Sequence, residues 1–257
     1  MGFFDKLFGG GGGNSEENWA KKQVKRLTNK YGQKEIREDA MYALYQRATP
    51  EAVSGLLQRF TFNHPESIVD EREKNKIIEL LDALGPEKAS EPLREFLADD
   101  KQPNLSMALI ALETLEGETS TLIEIVKLLE AADPNDAWGS DRKLQLVGHL
   151  DELETDQIPT ELIDVLLKFL MDLDDDVIFR CIALLERYGT DDQIRKPFID
   201  ILLLDETSMR IRSRILDTVR ERKWYVGEHR SELEHLLPEG YYFDKRNNLK
   251  YKEPTYN

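Results

Sequence analysis

Residues Asp175–Leu202 run DDVIFRCIALLERYGTDDQIRKPFIDIL, and the reading of this stretch decides the fold. Ile182, Leu184, Leu185 and Tyr188 form one apolar set. Gly189-Thr190 interrupts it, and Ile194, Phe198, Ile201 and Leu202 form a second. Both sets keep the i, i+3, i+4, i+7 spacing of a helical face. The prediction is a helix, a short turn and a second helix.

The same unit recurs along the chain. Six copies start near Glu35, Glu71, Asn104, Asp141, Asp175 and Ser208, at successive spacings of 36, 33, 37, 34 and 33 residues. Copy one has Ala40, Ala43 and Leu44, then Thr49-Pro50, then Val53, Leu56, Leu57 and Phe60. Copy two has Ile77, Ile78, Leu80, Leu81 and Leu84, then Gly85-Pro86, then Ala89, Leu93, Phe96 and Leu97. Copy three repeats the pattern from Leu109 to Leu129 around Gly117, and copy four from Leu144 to Phe169 around Ile158-Pro159. Copy six carries Ile211, Ile215 and Val219, then Leu233, Leu236 and Leu237 after a longer turn. Pro92 before Leu93 and Pro197 before Phe198 fall at corresponding places and suit a first helical turn, where the missing N–H is unneeded. A two-helix unit cannot bury its stripe alone, so the copies are expected to stack into a solenoid.

The period and the motif Asp175-Val177-Ile178-Arg180-Ala183-Leu184-Leu185-Gly189 resemble the HEAT and armadillo-like helical repeats over residues 34–237. The resemblance implies an all-α, right-handed solenoid of about six hairpins that offers a concave face built from second helices. On that face it places Gln58, Arg59, Arg94, Glu95, Lys127, Lys168 and Asp200 as exposed positions. A tetratricopeptide array, of similar period, and an irregular helical bundle rank below it.

Charge is uneven. The chain carries 35 basic and 50 acidic residues, a net −15. Residues 1–33 hold six basic against three acidic groups, residues 208–237 seven against five, and residues 238–257 four against three, which leaves −21 on residues 34–207. An acidic body repels phosphate backbones, so nucleic acid is not an expected partner. A solvated face is one reading of the acidity, and a groove for a basic protein segment is the other. No apolar run approaches the ~18 residues of a membrane span. The single Cys181 sits in an apolar stripe and reads as buried structure in a reducing cytoplasm, with no secretory signal expected.

Both ends depart from the repeat. Phe3, Phe4, Leu7 and Phe8 give residues 1–8 one apolar side, and Gly9–Gly13 makes residues 9–15 a flexible tether. Such a peptide docks in a groove or lies on the inner face of a membrane, with weak affinity at best. Ser15 is placed to cap a basic helix carrying Trp19, Val24, Leu27 and Tyr31, which opens the solenoid predicted for residues 16–237. Tyr241, Phe243, Leu249 and Tyr251 alternate around Lys245-Arg246-Asn247-Asn248, so residues 238–257 are predicted to end in a small β-hairpin cap.

Catalytic chemistry finds little foothold. Asp172, Asp174 and Asp176 keep the first spacings of a calcium loop, but Val177 and Ala183 stand where it needs Gly and Glu. His64, His149, His229 and His235 are scattered, and the glycine run lacks the lysine of a phosphate loop. No catalytic, metal or cofactor residue is assigned. The expected function is a non-catalytic protein-binding scaffold. Its candidate contacts are Phe3, Phe4, Leu7 and Phe8, the loop aromatics Phe62 and Trp138, and the basic pair Arg210 and Arg214. A peripheral membrane adaptor is the alternative, and a repeat-type DNA glycosylase or bilin-lyase-like enzyme ranks lower.

Overall fold

In the computed structural model, residues 15–154 and 158–253 are described. They are mostly helical, with thirteen α-helices and one two-stranded antiparallel sheet near the end. The helices are α1 Ser15–Leu27, α2 Lys34–Arg47, α3 Pro50–Leu57, α4 Ser67–Leu84, α5 Pro86–Ala98, α6 Ser106–Glu116 and α7 Glu118–Ala131. There follow α8 Ser140–Glu152, α9 Thr160–Lys168, α10 Asp175–Tyr188, α11 Asp191–Leu202, α12 Met209–Glu221 and the short α13 Arg230–Leu233. From α2 onward they come in pairs that fall on the six predicted copies.

Two compact units emerge. The first runs up to Ala131 and takes in the stretch from Gly148; the second holds Ala132–Val147 and the chain from Ile158 on. In the first unit, α2 packs on α4 and α4 on α6, while α3 packs on α5 and α5 on α7. In the second, α10 packs on α12 and α9 on α11. First helices therefore meet first helices and second helices meet second helices. The predicted stripes supply the cores: Leu44, Leu56, Phe60, Ile77, Leu81, Phe96 and Leu112 in one unit, Leu166, Phe169, Ile182, Leu185, Phe198 and Ile215 in the other, all buried. Each such side chain contributes about 1.5–3 kcal/mol.

Local chemistry sets the turns. Gly85 and Gly117 end α4 and α6 at φ +79° and +84°, a backbone region open mainly to glycine. Gly189 ends α10 with an ordinary φ, and the next helix starts instead from a capping box in which Thr190 and Gln193 bond reciprocally. The prolines do not sit where predicted. Pro92 and Pro197 occupy the seventh position of α5 and α11, inside the helix, because α5 already starts at Pro86 and α11 at Asp191. The hairpin forms as predicted. β1 Tyr241–Phe243 pairs with β2 Leu249–Tyr251, and Asn247 supplies the left-handed turn residue at φ 61°.

One regular feature was invisible in the apolar pattern. Four first helices carry a buried cation, Arg37, Lys143 and Arg212 at the fourth residue of their helices and Lys74 at the eighth of its own. Each reaches back to the loop before its own helix. Arg37 donates to Gly32 O at 2.6 Å, and Lys74 to Asn63 Oδ1 at 2.7 Å. Lys143 donates to Asp136 O at 3.0 Å, and Arg212 to Leu204 O at 2.6 Å. The loop oxygens thus satisfy the charged end of a cation that is itself buried.

Candidate functional site

Within the first unit, Glu73 lies on α4 with its carboxylate buried between two guanidinium groups. Arg37 Nε and Nη2 donate to Oε1 at 2.9 and 2.7 Å, and Arg59 Nε donates to Oε2 at 2.9 Å. Arg59 also reaches Asp70 Oδ1 at 2.8 Å and the Phe62 carbonyl at 3.1 Å. Asp70 accepts further bonds from the His64 N–H and from Lys74, each at 2.7 Å. Three cations and two carboxylates thus bind α2, the turn after α3 and the start of α4 together.

Burial pulls the Asp70 carboxyl upward. The hydrogen bonds from Lys74, the His64 N–H and Arg59 outweigh it and hold the group below the usual carboxylate range. Glu73 behaves alike: burial raises it, and the bonds from Arg37 and Arg59 bring it below its ordinary value. These charges are consumed by one another and set the spacing of α2 and α4.

Above the network the two helices leave an open groove of about 500 Å³. Met41 and Tyr42 line it from α2, and Ile68, Glu71 and Lys76 from α4. Tyr42 and Ile68 are 44% and 80% exposed, so two apolar side chains open to solvent at the groove. Glu38, Glu71 and Glu79 alternate with Arg72 and Lys76 around it, a rim of mixed charge. Lys76 is committed to Glu79 at 2.7 Å, and Glu38 lies 3.3 Å from Lys34.

The structure corrects two positions on the predicted concave face. Arg59 is fully buried and Gln58 nearly so, because the carboxylates that Arg59 serves belong to the next copy. Arg94 is half-buried and pairs with Glu116 and Glu124. Lys127 pairs with Glu124, Asp200 with Lys196, and Lys168 donates to Ala132 O. Glu95 is exposed.

The candidate contacts are dispersed. Phe62 lies against its own turn, with the Arg59 guanidinium 4.4 Å from the ring centroid. Trp138 falls in a 3-10 turn, Ala137–Gly139, and its side chain is outside the described structure. Phe3, Phe4, Leu7, Phe8 and the glycine tether also lie outside the described residues. In the second unit, Arg210 pairs with Asp176 and Arg214 with Glu186, and both guanidinium groups face the Phe179 ring, at 4.5 and 5.7 Å. The basic face of α12 is thereby matched to carboxylates of α10.

Cys181 behaves as read. Cys181 is buried, and burial pushes its thiol far up from the ordinary value. Asp172 accepts from the buried Lys143 at 2.6 Å, and Asp174 accepts the N–H of Asp176 as the N-cap of α10. The aspartates thus work as helix-start and ion-pair groups; among the described residues no cluster suited to a metal ion occurs. No described helix is long and apolar enough to cross a membrane. No protein-family model, curated protein or solved structure matches the chain.

Proposed function

We propose that the chain is a HEAT-like helical-repeat scaffold that binds another protein without catalysing a reaction, and that the groove between α2 and α4 is its docking surface. The carrying observation is the pair Tyr42 and Ile68, exposed beside an open groove whose floor is fixed by the Arg37–Glu73–Arg59 bridge. A groove whose base is already fixed needs little rearrangement of its backbone on binding, which favours association. Stacking of first helices on first helices within each unit supports the solenoid reading. The −21 carried by residues 34–207 favours a partner segment that is basic as well as apolar. The single cysteine of the chain suits a reducing compartment such as the cytoplasm.

The test is parallel affinity capture with the full chain and a Tyr42→Asp, Ile68→Asp double variant, each checked by circular dichroism. Capture of a protein by the parent chain and its loss by the folded variant is the expected outcome. Recovery of the same proteins by both would refute the groove as the docking surface.

A further inference from the structure

At the far end of the sequence, the second unit holds a second kind of surface. The register pairs Tyr241 with Tyr251, Tyr242 with Lys250 and Phe243 with Leu249. The flanking bonds run from Lys252 N to Gly240 O at 2.8 Å and from Asp244 N to Asn248 O at 3.0 Å. Antiparallel rungs alternate, so Tyr242–Lys250 is the hydrogen-bonded rung between them. Leu249 and Tyr251 then point their N–H and C=O groups away from β1, and among the described residues these groups find no partner. On β1 the comparable Tyr241 N–H is already given to Pro238 O.

The open edge borders a groove of about 480 Å³. Four consecutive residues, Asn248 to Tyr251, line one wall. Successive side chains alternate between faces, so a wall made of four in a row follows the backbone edge and not a face. The end of α12 and Trp224–Val226 form the other wall, with Tyr225 exposed there. Arg220, Lys223 and Lys250 line the groove against the single carboxylate of Glu221. Arg220 is paired with Asp217, whereas Lys223 and Lys250 form no ion pair among the described residues.

We propose that the outer edge of β2 takes up an extended acidic peptide as a third strand. Unpaired edge groups are a template for an incoming strand, and the cationic lining of Arg220, Lys223 and Lys250 selects its charge. Lysine on an edge discourages pairing with an identical edge, so the basic edge of a second copy is a poor occupant. The site is independent of the groove in the first unit, and its failure leaves that reading standing.

The experiment uses the full chain and a fluorescent hexapeptide alternating glutamate and valine, followed by anisotropy. A second peptide has the same sequence with alternate backbone nitrogens methylated, and a third replaces glutamate by lysine. Binding of the first peptide is expected, with affinity lower by roughly tenfold or more for the methylated one, since methylation removes the strand bonds. The Lys223→Glu, Lys250→Glu variant, folded by circular dichroism, should weaken it comparably. Equal binding of the methylated peptide would show charge attraction without strand addition and overturn the proposal. So would equal binding of the lysine peptide, no binding of the acidic one, or a concentration-dependent dimer that excludes it.

Discussion

Glu73 sits between Arg37 and Arg59 with almost no access to water. Replacing it by glutamine keeps the shape and removes the charge, leaving two buried guanidinium groups short of an anion. Glu73→Gln should cost about 3–5 kcal/mol, read as a lowered urea midpoint at unchanged slope. The same pair sets the acid response. Asp70 and Glu73 have folded values below their unfolded ones, so their contribution is present in full above the unfolded range. It should disappear as the pH drops below about 4, and urea titrations from pH 7 to 3 should locate the loss there. Charged side chains belong at the surface by default, which is why Arg59 was read as exposed. Its partners are 11 and 14 residues away, in the next copy, and nothing in its own helix announces them. Cys181, by contrast, was legible, because its neighbours Ile182 and Ala183 already placed it on the buried stripe.

At the scale of elements, the helix pairs followed from spacing alone because each stripe is long and faces a like stripe in the next copy. The turns were legible where glycine carried them. Gly85 has nothing within 4 Å of an added Cβ, so Gly85→Ala tests backbone torsion and not crowding. It should cost about 1–3 kcal/mol in chemical denaturation. Gly189 is the converse case: its φ is ordinary, but an added Cβ would lie 2.7 Å from Leu185 O. Thr190→Ala, which removes one arm of the capping box, should cost about 1 kcal/mol. The prolines misled for a physical reason. An interior proline is tolerated in α5 and α11 despite its missing N–H, and residue type alone does not reveal that the helix began two turns earlier. The cations that tie down the loops were equally hidden, since a lysine or arginine on a helix looks like any solvated charge.

For the molecule as a whole, net charge is the dominant long-range term. With −15 overall, raising the salt concentration from about 0.02 to 0.3 M should screen self-repulsion and raise the melting temperature by a few degrees. A fall in melting temperature would mean that exposed ion pairs, such as Arg47–Glu16 and Lys196–Asp200, outweigh that repulsion. The groove proposed for docking was not foreseen. Tyr42 and Ile68 are apolar residues off the core stripes, and it takes the packing of α2 on α4 to bring them to one opening. The buried cations also bear on kinetics. Arg37, Lys74, Lys143 and Arg212 close loops of only 5, 11, 7 and 8 residues. Contacts so short in sequence form early and cost little chain entropy. A chain held by them should refold on the fast side for its length, and removing one of these cations should slow refolding more than it speeds unfolding.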